Sequence, residues 1–211
     1  MKSASHALML GAIALAFAAC SGILPAAAPA PKLYTLTAPP EAPGGPAKPG
    51  TTQLLVQAPQ APAALDTVRI ALSHSPTNVE YYADANWADY APLMLQALLI
   101  ESLERGGGFA AVARSSVPLR GDVIVLTELR HFEAQYRGGA GAPQIVIAMD
   151  VKLVRVAGGD IAAEKSFTAT ATAAANNVPA VVDAFDVAGH QVLTDVASWA
   201  SGALSGRGRN R

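Results

Sequence analysis

Residues 144–172 read Gln144-Ile-Val-Ile-Ala-Met-Asp-Val-Lys-Leu-Val-Arg-Val156, then Ala-Gly-Gly-Asp, then Ile161-Ala-Ala-Glu-Lys-Ser-Phe-Thr-Ala-Thr-Ala-Thr172. In the first stretch Ile145, Ile147, Met149, Val151 and Leu153 recur at every second position, with Gln144, Asp150 and Lys152 between them. Side chains alternate across a strand, so this period of two predicts one apolar and one polar face. Gly158-Gly159-Asp160 supplies residues that tolerate the left-handed backbone of a tight hairpin. After it, Phe167, Ala169 and Ala171 alternate with Glu164, Ser166, Thr168, Thr170 and Thr172. The pair is an antiparallel hairpin whose apolar face needs a cover.

Working outward, residues 122–136 form another long strand, apolar on both faces at Val123-Ile124-Val125-Leu126 and therefore central in the sheet. Its alternation loses phase near Arg130, which predicts a bulge there. The cover comes from two helices. Downstream, Asn177 caps a helix with Pro179 in its first turn, and Val181, Phe185, Ala188, Val192, Val196 and Trp199 step by three or four residues. Asp183, Asp186, His190, Thr194 and Ser201 lie on the other side. Upstream, residues 89–104 place Leu95, Leu98, Leu99 and Leu103 on one face, with Pro92 in the first turn and Gly106-Gly107-Gly108 as the stop. Shorter strands are read at 53–57, 67–72, 79–82 and 109–112. The expected fold is α+β: a mainly antiparallel sheet with two long helices packed on one face, in a single domain. No repeat of fixed period is visible.

The N-terminus carries an address. Lys2 precedes the apolar run Ala7–Ala19, and Ala18-Ala19 places two small residues directly before Cys20, the one cysteine of the chain. That is the layout of a bacterial secretory signal. With a cysteine at the cut it resembles a lipobox, although Phe17 stands where Leu is more usual. The resemblance implies cleavage between Ala19 and Cys20, an S-diacylglycerol on the thiol and an N-palmitoyl group on the new amino terminus. Stable anchoring needs two lipid signals, and this arrangement exceeds that. By the same resemblance to Gram-negative lipoproteins, in which an Asp after the cysteine favours inner-membrane retention, Ser21 implies the outer membrane, with the body on its periplasmic face. Residues 20–52 then form a Pro/Ala/Gly-rich tether interrupted by a short strand at 33–36. Its first part, 21–32, reaches roughly 37 Å if extended. The folded domain is expected over 53–204, and 205–211 is a basic tail.

Composition removes several functions. The 211-residue chain holds 15 Lys and Arg against 16 Asp and Glu, and loss of Lys2 with the signal leaves the remainder at −2. That balance predicts no nucleic-acid partner. With Cys20 lipidated, no thiol remains for a disulfide, a metal or thiolate catalysis. His74, His131 and His190 are the histidines after the signal, and none has a neighbour at metal-ligand spacing. There is no G-x-S-x-G elbow, and Gly106-Gly107-Gly108 follows a helix with no Walker lysine. Asp183 and Asp186 are one turn apart on a polar face. No catalytic residue, no metal site and no cofactor is read from the sequence. Tyr81, Tyr82, Trp87 and Tyr90 cluster within ten positions. Either Trp87 and one tyrosine pin the turn before the helix against the sheet, or the cluster contacts a partner.

Tyr81, Tyr82, Trp87, Pro92, Leu93, Met94 and Leu95 together resemble a motif of the ABC-type transport auxiliary lipoproteins. Tyr34-Thr35-Leu36 after the cysteine, Leu65-Asp66 before Val68-Arg69-Ile70, and the closing helix from Val181-Val182-Asp183-Ala184-Phe185 to Trp199 agree with it. The resemblance covers nearly all of the chain after the signal. It implies a non-catalytic docking subunit that binds a periplasmic MCE-domain protein and, through it, an ABC permease and ATPase. Such systems move lipids or other hydrophobic compounds between envelope membranes. A homo-oligomer is compatible with it. The competing expectations are a structural lipoprotein of another envelope assembly or secretion machine, and a lipid-anchored hydrolase.

Overall fold

The strand expected over 122–136 is the spine of the sheet. The computed structural model describes residues 30–41, 50–118, 120–138 and 141–205, and those from Pro31 onward belong to one α+β unit. In chain order its elements are β1 (Lys32–Tyr34), β2 (Gln53–Val56), β3 (Arg69–Ser75), β4 (Asn78–Trp87), α1 (Ala91–Gly106), β5 (Ala111–Arg114), β6 (Val123–Gln135), β7 (Gln144–Arg155), β8 (Ile161–Thr172) and α2 (Val178–Ser205). The signal, its cleavage point, Cys20, Ser21 and the basic tail beyond Ser205 lie outside the described residues.

β6 pairs antiparallel with β7 along its whole length, and β7 with β8. Its other edge is divided. β2 lies parallel to its first part, from Leu54↔Val123 to Val56↔Val125. β3 lies parallel to its last part, at Leu72↔Ala134 and Ser73↔Gln135. Between them Gln60 bridges Glu128, so the connection leaves β2, touches β6 once more and loops out before β3 begins. β5 extends the sheet beyond β2, and β4 with β1 extends it beyond β3. The eight-stranded sheet is thus mixed. Its long β6–β7–β8 pairings are antiparallel, and its parallel ones are short.

The expected bulge is present. Register shifts between Leu129 and His131, leaving Arg130 as the extra residue. Val123, Val125 and Leu129 are buried before it, and Phe132 and Ala134 after it. The inserted residue changes the parity, so apolar side chains continue to face the helices although their spacing changes. Both helices cover that face. Leu95, Leu98, Leu99 and Leu103 of α1 are buried, as are Val181, Phe185, Ala188, Val192 and Val196 of α2. Asn177 caps α2 as expected, its Oδ1 accepting from the Ala180 N–H at 3.0 Å. α1 stops where Gly107 takes a positive φ of 68°. Gly108 (φ +83°) lies so close to α2 that a Cβ there would meet Ser201 Oγ at 2.6 Å.

One local reading is corrected. The strand read at 79–82 is longer, a ten-residue strand that ends at Trp87, and α1 begins at Ala91. Asp84 adopts a positive φ of 54° inside β4, where the register with β3 also shifts, and this irregularity breaks the alternation that marks a strand. Trp87 is 1% exposed. Its ring centroid lies 5.4 Å from that of Phe132 and 5.2 Å from that of Phe185, which are themselves 5.0 Å apart. Each such pair contributes about 0.5–1.5 kcal/mol beyond area burial. The trio ties β4, β6 and α2 together. Trp87 Nε1 has no hydrogen-bond partner among the described residues, so its side chain is held by packing.

Candidate functional site

The sheet face turned away from the helices carries the polar halves of β6, β7 and β8, and a trough follows β6 across it. Two concavities of about 580 and 540 Å³ share Arg130 where they meet. The connection after β2 forms one wall, through Gln57, Ala58 and Gln60 beside the first and Pro62, Ala64 and Leu65 beside the second.

Charge organises the first concavity. The Arg130 guanidinium reaches Glu128 Oε1 at 2.6 Å through Nη1 and Asp150 Oδ2 at 2.8 Å through Nε. Ser166 Oγ donates to the other oxygen of Asp150 at 2.5 Å. This follows from register, because Glu128, Asp150 and Ser166 are direct cross-strand partners. Lys152 and Glu164 are partners in the next rung. The Ser166 hydroxyl and then the Arg130 guanidinium hold the Asp150 carboxyl below the usual carboxylate range. The hydrogen bond to Asp150 raises the Arg130 guanidinium in turn.

The second concavity differs. Its wall is apolar, and Glu133 in its floor is 8% exposed. Gln135 Nε2 donates to Glu133 Oε1 at 2.8 Å, and His131 Nδ1 lies 3.2 Å from the same oxygen. Oε2 receives no hydrogen bond from the described residues. At one rim the His74 ring stacks on Tyr136, with centroids 4.7 Å apart.

The aromatic cluster expected from the sequence is dispersed. Trp87 is core. The Tyr81 hydroxyl donates to the Ala64 carbonyl at 3.1 Å, and the Arg69 guanidinium lies 3.8 Å from its ring centroid. Tyr82 joins a hydroxyl chain: its OH is 2.9 Å from Tyr136 OH, which donates to Asn176 Oδ1 at 2.7 Å. Burial first, and then the Tyr136 hydroxyl, push the Tyr82 phenol well above its ordinary value. Tyr90, directly before α1, is 50% exposed.

A second feature escaped the sequence reading. Residues 35–39 form a strap across both helices. Thr35 Oγ1 contacts Met94 Sδ at 3.9 Å on α1, and Arg105 Nη1 donates to the Pro39 carbonyl at 2.5 Å near that helix's end. On α2, Asp186 accepts from the Thr37 N–H at 2.6 Å and from the Thr37 hydroxyl at 2.8 Å. His190 Nε2 lies 3.1 Å from the Thr37 carbonyl and 3.4 Å from Asp186. Leu36 is buried, and a Cβ on Gly189 would meet its Cδ1 at 3.8 Å. Asp186 and His190 therefore hold the strap, while Asp183 stays exposed. The signal for this was the Tyr34-Thr35-Leu36 run, whose target is some 150 residues distant. His74, His131 and His190 make structural contacts in three separate places. Among the described residues no three His, Cys, Asp or Glu side chains group as a metal site. No described helix is long and apolar enough to cross a membrane.

A mixed sheet carrying two helices on one face is a fold shared with solved structures. Protein XCC0632 from Xanthomonas campestris is similar at 28% identity and a TM-score of 0.76, over 85% of this chain and 99% of that one. A further solved structure, titled only as an uncharacterized protein, shares the fold at 16% identity and a TM-score of 0.63, over 82% and 99%. No curated protein matches the chain. The family model of the ABC-type transport auxiliary lipoprotein component matches residues 34–197, and the chain belongs to that family. Membership gives it a general role as a lipoprotein auxiliary to ABC-type transport.

Proposed function

We propose that this protein is held on the periplasmic face of the outer membrane by lipids on Cys20 and acts as a non-catalytic docking subunit. Its partner is an MCE-domain protein, linked through it to an ABC permease and ATPase that move lipids or hydrophobic compounds between envelope membranes. The observation that carries this reading is the family match over residues 34–197, which takes in the strap, β2 to β8, α1 and most of α2. The lipobox-like run before Cys20 supports the anchor. The outward polar trough and the half-exposed Tyr90 supply surfaces on which a partner can dock. Assembly of several copies around the partner is compatible with the reading.

The test has two parts. Cys20→Ser is expected to release the protein from the outer-membrane fraction, and retention there rejects the lipid anchor. Crosslinking in cells is expected to recover an MCE-domain protein. Recovery of an outer-membrane barrel, with no MCE partner, moves the protein to another envelope machine.

A further inference from the structure

Glu133 is the one acidic residue among those lining the second concavity. A carboxylate this buried is costly unless a cation or several donors compensate it. Here two contacts fall on one oxygen, from an amide and from a histidine ring, and the other oxygen receives none. The arginines at the rim do not fill that role. Arg130 is divided between Glu128 and Asp150, and Arg137 donates to Gln135 Oε1 at 3.0 Å. The same concavity is lined by the apolar residues Pro62, Ala64 and Leu65. An apolar wall favours an aliphatic stem.

We propose that this concavity binds an alkyl cation, an ammonium or guanidinium on an aliphatic stem, with Glu133 Oε2 as counter-ion. The cation completes the carboxylate that the protein leaves half satisfied, and the stem lies against the Pro62–Leu65 wall. A free amine and a lysine or arginine side chain of a partner segment share this chemistry. The site stands on its own geometry and does not require the docking role above.

The test titrates the full chain, in micelles of an uncharged maltoside detergent, with n-butylammonium, n-butylguanidinium, n-butanol and butyrate. Binding is read from backbone amide shifts. Both cations are expected to give saturable shifts centred on residues 130–138, with butanol about tenfold weaker and butyrate weaker still. Glu133→Gln, which preserves size, is expected to weaken the cations about tenfold. Butanol or butyrate binding as tightly as the cations to the unmodified protein overturns the proposal, whether or not the variant folds. A folded Glu133→Gln protein with unchanged cation affinity overturns it as well. A capped Leu-Lys-Leu peptide binding about tenfold tighter than butylammonium assigns the site to a polypeptide partner, and equal affinity assigns it to small amines.

Discussion

Trp87 and Phe185 meet edge to face, ring centroids 5.2 Å apart at 86°, joining the last residue of β4 to the first half of α2. Removing the indole opens a cavity that Phe132 and Phe185 cannot both fill. Trp87→Ala is expected to cost about 3–5 kcal/mol in urea unfolding. Trp87→Phe is expected to cost less than half as much, because it keeps a ring and deletes a buried N–H that has no acceptor. Equal losses for the two variants would show that ring packing is not what the position requires.

The strap gives a local test. The Thr37 amide donates to Asp186 Oδ1 at 2.6 Å and its hydroxyl to Oδ2 at 2.8 Å. Asp186→Ala is expected to destabilise the protein by about 1–3 kcal/mol. The effect is expected to concentrate at the strap, so amide exchange at Leu36 and Thr37 speeds up far more than in β7. Asp186→Asn, which retains an acceptor for the amide, is expected to protect partially.

Gln96 tests the far edge of the sheet. It is buried on α1, its Nε2 donates to the Val56 carbonyl at 2.9 Å, and its Oε1 accepts from Arg114 Nη1 at 2.6 Å. One side chain thus serves β2 and β5. Gln96→Leu leaves a carbonyl and a guanidinium without it and is expected to cost about 1–3 kcal/mol. Hydrogen exchange in β5 is expected to rise first, since among the described residues that short strand pairs only with β2.

Two titrations are expected at opposite ends of the pH range. The Tyr82 phenol is raised in the folded state, so the fold holds its proton more tightly than the unfolded chain. Its contribution is complete below about pH 10 and declines as pH climbs toward the higher folded value. Tyr82→Phe is expected to flatten the alkaline limb of stability. The Asp150 carboxyl is lowered, so its contribution is present above about pH 4 and fades as pH falls through the lower folded value. Ser166→Ala is expected to shrink that acid limb, measured by urea midpoints at pH 3 and pH 7.

Where local pattern and tertiary need coincide, the sequence is transparent. The inward set from Ile145 to Leu153 and its continuation at Phe167, Ala169 and Ala171 keep a period of two, so both strands and their hairpin can be read directly, although the register shift at Leu153 and Val154 cannot. The bulge at Arg130 is legible for the same reason, because an interrupted period is itself a signal. β4 is opaque, since Asp84 departs from strand geometry in the middle of it and the polar Asp84 and Asn86 resemble a turn. The place where the strap lands on α2 and the enclosure of Glu133 leave no local trace. Asp186 and His190 occupy ordinary polar positions on α2, and only chain returning from residue 37 makes them structural. Glu133 lies on the polar side of β6, and the wall that encloses it comes from residues 62–65.

The strap also decides where a pull on the molecule is felt. Tension applied ahead of Lys32 enters β1, which lies parallel and in register with β4. It then meets Leu36 beside Gly189, Thr37 on Asp186, and Pro39 on Arg105. Those contacts fall on both helices, so the load divides among them. A chain fastened upstream of this point drags the whole helical layer with it. Because β1 joins β6 through β4 and β3, part of the load also enters the sheet itself.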